Sequence, residues 1–282
     1  MVAPPSTLES PQRSPAPSAS DVIIFENVSL AFEERPLLDG ISFRLPKGES
    51  KAIFGVAGSG KSTILKLVLG LFKPDSGTIE VLGQDVTSMK EEELFNLRRK
   101  IGMVFQESAL FDSMTVRENV AYGLVEEGGL TEEEIERRVR EALSFVELEH
   151  TLNMFPSELS GGMRRRVAIA RAIITRPDIL LYDSPTGGLD PVTSMKIIEL
   201  IVKQRDVYKT SSLLVSHRLQ DAFTMATHYF DPKLNRMEPL PPGQHCEVPM
   251  TFLVLRESKV IFDGDAQELK QSRDEYIREY IS

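Results

Sequence analysis

The chain has 282 residues, 41% of them hydrophobic and 27% charged, which is enough to bury the core of one large or two modest globular domains. Its net charge of −9 argues against a nucleic-acid partner, because phosphate contacts need clustered positive charge. The longest apolar stretch, residues 64–72, is interrupted by Lys66 and is far shorter than the roughly 20 residues that cross a bilayer. We therefore expect no nucleic-acid partner and no direct membrane span.

The first 20 residues are rich in proline, serine and alanine and contain no apolar core followed by a cleavage site. This composition differs from that of a secretory signal and predicts a disordered tail over residues 1–20. A single cysteine, Cys246, excludes an internal disulfide and a zinc site built from cysteines. These features favour the reducing cytoplasm as the compartment.

The first third of the chain predicts a strand pair followed by a strand, a loop and a helix. Residues 21–32 and 41–45 are rich in β-branched and aromatic side chains, and turn residues around Pro36 and Gly40 separate them. They predict two antiparallel strands at the edge of the fold. The run KAIFG, residues 51–55, predicts a buried strand that leads into a glycine loop, and the apolar residues after the loop recur at helical spacing.

The rest of the chain completes an α/β pattern. Residues from about 107 to 175 are mostly helical in character, and one helix begins with an expected capping box, Thr131 with Glu134. Apolar runs at 179–182 and 212–215 predict covered parallel strands. The proline-rich, polar segment at about 229–249 predicts a loop insertion, and a hairpin with a turn near Ser258 follows it.

The glycine loop is the first motif that carries chemistry. Gly55, Gly60, Lys61 and Ser62 match the pattern G-x-x-x-x-G-K-[ST] between a strand and a helix. In this arrangement backbone N–H groups and the lysine bind phosphates, and the hydroxyl can ligate magnesium. Asp183, at the end of an apolar strand, is the expected second magnesium partner. The residues predicted to bind ATP at this loop are Gly55, Val56, Ala57, Gly58, Ser59, Gly60, Lys61, Ser62 and Thr63.

A second candidate anion site lies at Ser160, Gly161 and Gly162, where LSGGM precedes a helical pattern. Ser160 is a suitable N-cap, and a helix N-terminus with two glycines can bind phosphate. Alone, this sequence is more typical of a well-capped surface helix, but a nucleotide loop in the same chain favours the phosphate role. The neighbouring arginines 164–166 are expected to lie on one exposed helix face and in intersubunit contacts, with no ligand.

Taken in order, these motifs resemble those of the nucleotide-binding subunit of ABC transporters, over residues 21–282. The resemblance implies a single ATP-binding domain of the P-loop NTPase class, with a mostly parallel core sheet, an antiparallel β-subdomain and an α-helical subdomain. It also implies two subunits that sandwich two ATPs, each site pairing the glycine loop of one with LSGGM of the other. Four further positions match the family: Phe32 as the aromatic that stacks on adenine, Gln106 as the Q-loop residue and a magnesium ligand, Asp190 as the D-loop aspartate, and His217 as the switch histidine at the γ-phosphate.

The same resemblance implies the partners. A cassette of this kind drives a membrane permease, so the chain is expected at the inner face of the cytoplasmic membrane, as a homodimer. The runs GMVFQESALFDSMTVRENVAYGL and PSELSGGMRRRVAIARAI and the ending DEYIREYIS are similar to the ATPase of the MCE-linked phospholipid transporters, which include the Mla system. This narrower resemblance implies lipid transport and an MCE-domain partner. Importers of polar amino acids share the VFQ and MTV elements and stay the nearest rival.

One position departs from the family. Where the family has a glutamate that accepts a proton from the attacking water, this chain has Ser184. Losing such a base typically costs ~10² to 10⁴ in rate. Three accounts stay open: slow hydrolysis through His217 and the γ-phosphate, a substitute carboxylate such as Asp190 or one from a partner, or a regulatory subunit that only binds nucleotide.

Overall fold

The structure is a computed structural model that describes residues 20–33, 35–241, 243–244 and 246–281, with only the backbone at residues 280 and 281. Apart from Ser20, the predicted disordered tail lies outside the described residues. The strands are β1 Asp21–Phe32, β2 Arg35–Pro46, β3 Ser50–Phe54, β4 Ser76–Val81, β5 Gln84–Asp85, β6 Ile101–Val104, β7 Ile179–Asp183, β8 Ser211–Val215, β9 His228–Asp231, β10 Arg236–Pro239, β11 Met250–Arg256 and β12 Lys259–Asp265. The helices are α1 Lys61–Val68, α2 Glu91–Arg98, α3 Val116–Glu127, α4 Glu132–Phe145, α5 Gly161–Ile173, α6 Pro191–Tyr208, α7 Leu219–Thr227, α8 Ala266–Gln271 and α9 Glu275–Ile281.

The first sheet is antiparallel, in the order β2-β1-β4-β5, and contains the strand pair that the sequence predicts. The predicted turn around Pro36 and Gly40 is wrong, because both residues lie inside β2 and the chain reverses before Arg35. Gly40 has φ 61 and faces a register shift between Val28 and Leu30, so the glycine serves a β-bulge within the strand pair.

The second sheet is the mostly parallel core, in the order β12-β11-β3-β8-β7-β6. Strands β11, β3, β8, β7 and β6 are parallel to one another, and the edge strand β12 pairs antiparallel with β11. All residues of β3 and β8 are buried, as expected for strands that are covered on both faces. The predicted α/β fold class with a parallel core and an antiparallel subdomain is therefore confirmed.

The core sheet separates two hydrophobic cores. Phe54 and Tyr182 face the helices α3 to α6, whereas Ile53 and Leu181 face α1 and the antiparallel sheet. Alternate residues of one strand point to opposite faces, so each strand contributes to both cores. Packing on both faces holds the core sheet in place and thereby positions the strand ends at which the candidate site lies.

A helical lobe fills residues 116–173, within the segment predicted to be helical. It consists of α3, α4 and α5 with short 3-10 helices at Glu149–Thr151 and Pro156–Glu158. The predicted capping box at Thr131 is only half present: its hydroxyl accepts a hydrogen bond from the Glu134 N–H, but the Glu134 carboxylate binds Arg137 and Arg138 instead. The nearby arginines outcompete the backbone N–H for this carboxylate.

The segment predicted as a loop insertion, 229–249, is not a loop throughout. Its first part forms the antiparallel hairpin of β9 and β10, which packs on α6. The end of α6 holds the hairpin, because Arg205 donates to the His228 carbonyl at 2.8 Å and Asp206 accepts from the Phe230 N–H at 2.8 Å. In the described part of the chain, no helix combines the length and the apolar character needed to cross a membrane.

Candidate functional site

Four parallel strands end at the same edge of the core sheet and carry most of the predicted site residues. Gly55 follows β3, Gln106 lies two positions after β6, Asp183 ends β7, and His217 lies two positions after β8. The Ser184 N–H donates to the Val215 carbonyl at 2.8 Å and thereby ties the ends of β7 and β8 together. The carboxyl edge of a parallel sheet is the usual ligand crevice of open α/β folds.

The glycine loop needs glycine at two positions for steric reasons. Gly55 has φ 151, and a Cβ there would lie 2.5 Å from the Leu255 carbonyl oxygen. Gly60 has φ 90, and a Cβ there would lie 2.7 Å from Leu38 Cδ2. Between these two anchored positions, Val56, Ala57 and Gly58 are exposed, and Gly60 is the N-cap of α1. The loop therefore presents open backbone at a helix N-terminus, which suits a phosphate.

Lys61 is buried beneath this loop. Its Nζ donates to the carbonyl oxygens of Gly55 at 2.8 Å and Val56 at 2.7 Å. Burial lowers the pKa of Lys61, and the charge of Asp183 opposes that shift. The ammonium is thus held inside the loop, where it can neutralise phosphate charge.

Ser62 and Asp183 form the candidate magnesium site. The Ser62 hydroxyl donates to Asp183 Oδ1 at 3.0 Å. Within the described ranges, no group of three or more histidine, cysteine, aspartate or glutamate residues could enclose a metal. A hydroxyl and one carboxylate suit Mg²⁺, which keeps most of its coordination for waters and substrate phosphates.

Gln106 and Thr63 also lie at this edge of the sheet. Gln106 is exposed, and its Cγ lies 3.7 Å from the position that a Cβ on Gly187 would take, so it borders the turn after Asp183. Thr63 follows Ser62 in the first turn of α1 and is half-buried. The structure therefore brings Gln106, Lys61, Ser62 and Asp183 to one crevice.

Ser184 faces inward. It has φ 46, in the left-handed region, and is 3% exposed. Its Oγ has no hydrogen-bond partner among the described residues, and its carbonyl accepts from Arg165 Nη1 at 3.3 Å and from the Gly187 N–H at 2.9 Å. The hydroxyl is therefore placed neither to contact solvent nor to accept a proton from a water in the crevice.

His217 is exposed at the crevice and interacts electrostatically with Lys61 and Asp183. Partial burial of the ring lowers its pKa, the charge of Lys61 lowers it further, and Asp183 raises it. At pH 7, which already lies above the ordinary value of 6.5, this lowered pKa favours the neutral imidazole. A neutral ring can donate one hydrogen bond and accept another.

The second predicted anion site lies at the N-terminus of α5. The Ser160 hydroxyl accepts from the Met163 N–H at 3.2 Å, which makes Ser160 the N-cap, and both Ser160 and Gly161 are exposed. A Cβ on Gly162 would lie 2.4 Å from Thr193 Cγ2, so the first turns of α5 and α6 are in close contact. This exposed end is open to an anion from outside the chain.

Asp190 is occupied as a helix cap. Its Oδ1 accepts from the N–H groups of Val192 and Thr193, each at 3.0 Å, at the start of α6. Hydrogen bonds from Thr193, chiefly from its side chain and then from its backbone N–H, lower the pKa of the carboxyl. A capping carboxylate with a lowered pKa is a poor general base, so this geometry does not support Asp190 as the substitute for a glutamate at 184.

Phe32, the candidate adenine-stacking residue, lies on the antiparallel sheet at the end of β1. Its ring is 47% exposed and packs edge-on against Phe72, with ring centroids 5.7 Å apart. One face of the ring is therefore available for stacking on a base.

Three residues near the site have positions that were not predicted from the sequence. The expectation that arginines 164–166 share an exposed face is wrong for Arg165, which is 5% exposed. Its spacing from Ala168 and Ala172 puts it on the buried side of α5, a signal that was present in the sequence. Thr186 and Asp221 are also buried and joined by a hydrogen bond between the Thr186 hydroxyl and Asp221 Oδ2. No local pattern predicts that pair, because 35 positions separate its members.

Residues 38–187, more than half of the chain, match the family model described as ABC transporter. The chain belongs to the ABC transporter family. Solved ABC cassettes have the same fold: the dimeric post-hydrolysis state of the ATP-binding cassette MJ0796, bound to ADP and Pi, aligns with a TM-score of 0.72 at 30% identity, over 86% of this chain and 98% of that chain.

Curated ABC relatives include lipid and amino-acid systems. The intermembrane phospholipid transport system ATP-binding protein MlaF of Escherichia coli is 32% identical over 264 residues, or 94% of this chain and 90% of that protein. The chloroplastic protein TRIGALACTOSYLDIACYLGLYCEROL 3 of Arabidopsis thaliana is 36% identical over 93% of this chain and 74% of that protein. The methionine import ATP-binding protein MetN 2 of Bacillus cereus is 42% identical, but over only 70% of this chain and 59% of that protein.

Proposed function

We propose that this ABC subunit binds and hydrolyses Mg-ATP at the interface of two copies and thereby drives a membrane permease that moves phospholipid. The observation that carries the nucleotide part is the contact of the Ser62 hydroxyl with Asp183 beside a buried Lys61 that spans the carbonyls of the glycine loop. These groups come from two strand ends and meet where a triphosphate with its metal would lie.

The residues of this crevice fit ATP and magnesium. The loop from Gly55 to Thr63 would hold the β- and γ-phosphates through its N–H groups and Lys61, and Phe32 would support the adenine. Ser62, Asp183 and Gln106 would hold the metal, which supplies charge neutralisation at the transferred phosphoryl group. Neutral His217 would donate a hydrogen bond to the γ-phosphate. The second copy would complete the site with its exposed Ser160 and Gly161 and its half-buried Gly162.

The proposed hydrolysis is slow in the isolated subunit. Ser184 is buried and has no charge, and Asp190 is engaged as a cap. No carboxylate is therefore assigned as the base, and the account that fits best uses His217 and the γ-phosphate itself. A barrier higher by about 3 to 5 kcal/mol corresponds to the expected loss of ~10² to 10⁴ in rate.

A second candidate is a regulatory subunit that binds ATP without turnover, and the inward-facing Ser184 favours it. Phosphate release by the purified chain, compared with a Lys61→Ala variant, separates the two functions. Turnover above the Lys61→Ala background supports the transporter ATPase. If the chain releases no phosphate from Mg-ATP, either alone or with the permease, the chain only binds ATP.

We propose a phospholipid substrate because of the share of each chain that the alignments cover, and not because of the percentage of identical residues. The MlaF alignment spans nearly the whole of both chains, whereas the MetN alignment omits about two fifths of that protein. We therefore propose that the chain works with a permease and an MCE-domain partner at the inner face of the cytoplasmic membrane. Purification of the native complex in detergent tests this: phospholipid should stimulate its phosphate release, and methionine should not. Stimulation by methionine alone would favour the amino-acid importer.

The proposed surface for the permease is formed by residues 106–122, which comprise the segment before the helical lobe and the first turns of α3. Two exposed rings, Phe111 and Tyr122, pack with centroids 4.8 Å apart and form an apolar patch. A Phe111→Ser variant should bind Mg-ATP normally and fail to co-purify with the permease. Phe95→Ser is the matched control, because Phe95 is an equally large exposed ring on α2, outside the lobe.

A further inference from the structure

The buried side chain of Arg165 donates hydrogen bonds to the backbone of three separate segments that line the crevice. Its Nη1 donates to the carbonyl of Phe105 at 3.1 Å and to that of Ser184 at 3.3 Å, and its Nη2 donates to the carbonyl of Gly187 at 3.4 Å. Phe105 precedes Gln106, Ser184 follows Asp183, and Gly187 lies in the turn that leads to Asp190. One guanidinium thus joins the backbone of all three segments.

The charge of Arg165 is compensated by these carbonyls and by nearby acids. Burial lowers the pKa of the guanidinium, whereas the charges of Asp183 and Glu107 raise it. An arginine keeps its charge even when its pKa is lowered, because its ordinary value is far above neutrality. The buried cation therefore holds the three carbonyls by charge-assisted hydrogen bonds, in a fork geometry that lysine cannot reproduce.

Arg165 is also rigidly linked to the exposed N-terminus of α5. It lies five positions after Ser160, or about 7.5 Å along the helix axis. Farther along the helix, Val167 to Ala170 are completely buried, so α5 is firmly packed. A shift of the Ser160 end would consequently move the guanidinium and the three carbonyls with it.

We infer that Arg165 is a positioning residue that couples the two ATP sites of the dimer, because it joins the helix end that faces one ATP to the segments that face the other. This inference rests on the proposed function, in which Ser160 of each copy meets the nucleotide on the opposite copy. ATP bound against α5 would then set the position of Gln106 and of the backbone at Ser184 in the chain's own site.

The neighbouring Arg166 provides a matched control. It lies on the same helix, burial also lowers its pKa, and its Nη1 donates to a single carbonyl, Val146, at 3.2 Å. Val146 is the C-cap of α4 in the helical lobe. The hydrogen bond of Arg166 therefore lies within the lobe and not at the crevice segments. Both Arg165→Gln and Arg166→Gln remove a guanidinium from α5, but only Arg165→Gln removes the link to the crevice.

The experiment measures binding of fluorescent Mg-ATP and its Hill coefficient with the full chain, and thermal unfolding of every variant. Coupled sites typically change each other's affinity about 5- to 150-fold, so the wild type should bind with a Hill coefficient above 1. Arg165→Gln should lower the coefficient to about 1 and leave the first ATP bound within about threefold of wild type. Arg166→Gln should retain the wild-type coefficient, and Arg165→Lys should recover it only in part.

The outcomes separate this inference from the proposed function. Equal Hill coefficients in wild type and Arg165→Gln, or a wild-type coefficient of 1, would overturn the coupling role while ATP binding stands. A loss of coupling that Arg166→Gln reproduces to the same extent would also overturn it, since the effect would then follow from any arginine lost from α5. Wild-type binding no tighter than that of Lys61→Ala would remove the proposed function and this inference together.

Discussion

The Ser62 hydroxyl lies 3.0 Å from Asp183 Oδ1 although 121 positions separate the two residues. Their contact depends on the sheet order β3-β8-β7, which brings the loop after β3 and the end of β7 to one edge. A hydroxyl that donates to a carboxylate here can rotate and turn its lone pair toward a cation. The contact thus marks the position at which the metal would enter.

Replacement of Asp183 tests the metal site separately from the phosphate site. We expect Asp183→Asn to weaken binding of Mg-ATP by about 10- to 100-fold, because a charge-assisted contact contributes about 1.5 to 3 kcal/mol. In EDTA the two proteins should bind ATP equally well, since Lys61 and the loop N–H groups are unchanged. Isothermal titration with and without Mg²⁺ measures both quantities. An equal loss in EDTA would mean that Asp183 shapes the phosphate loop rather than the metal.

Introduction of a carboxylate at position 184 tests whether the lack of a general base there causes the slow turnover. Ser184→Glu should raise the steady-state phosphate release by about 10² to 10⁴, the range expected for a positioned general base. Ser184→Ala is the control and should leave the rate within about twofold, because the Ser184 hydroxyl has no partner. If Ser184→Glu is as slow as wild type while Mg-ATP affinity is unchanged, the missing glutamate is not what limits the rate.

The protonation of His217 should respond to Lys61. The ammonium lowers the pKa of His217, so a Lys61→Met variant should titrate at a higher pH than wild type. NMR titration of the imidazole resonances measures this, and a His217→Gln sample identifies the relevant signal. An unchanged midpoint would show that the two side chains are too far apart, or too well screened by solvent, to interact.

Asp221 should make stability depend on pH in a defined direction. Burial raises the pKa of this carboxyl above its ordinary value of 3.8, although Thr186 and Arg218 lower it in part. The native chain therefore keeps a proton that the unfolded chain has lost, so the free energy of unfolding falls as pH rises from the unfolded pKa through the folded one.

An Asp221→Asn variant should remove this component. Its free energy of unfolding relative to wild type should increase from pH 4 to pH 7, as measured by urea titration at each pH. Thr186→Val should do the opposite and steepen the fall, because the hydrogen bond that favours the charged form is lost. A constant difference between Asp221→Asn and wild type across this range would mean that the carboxyl titrates normally in the folded chain.

The parts of the fold that are determined by local pattern could be predicted from the sequence. The strand, glycine loop and helix around Gly55 depend on residues that are adjacent in the chain, and the covered strands β7 and β8 differ from helices in length and composition. The position of the loop at the carboxyl edge then follows from the parallel order of the strands.

The parts that depend on distant partners could not be predicted. The bulge at Gly40 depends on the register with β1, and Glu134 leaves its expected capping role because two arginines compete for it. The burial of Arg165 depends on carbonyls from three other segments, although its helical spacing indicated the buried side. The capping role of Asp190, in contrast, has a local signal, because an aspartate directly before a proline is typical of a helix start.

Equilibrium binding of Mg-ATP to the purified chain tests the central claim most directly. We expect saturable binding to the wild type, with one ATP for each chain and formation of a dimer, measured by dialysis and light scattering on the same samples. Lys61→Ala should lose this binding by at least about tenfold, because a buried cation no longer meets the phosphates. Equal binding by the wild type and Lys61→Ala, or no binding by the wild type, would contradict the assignment of this crevice to ATP.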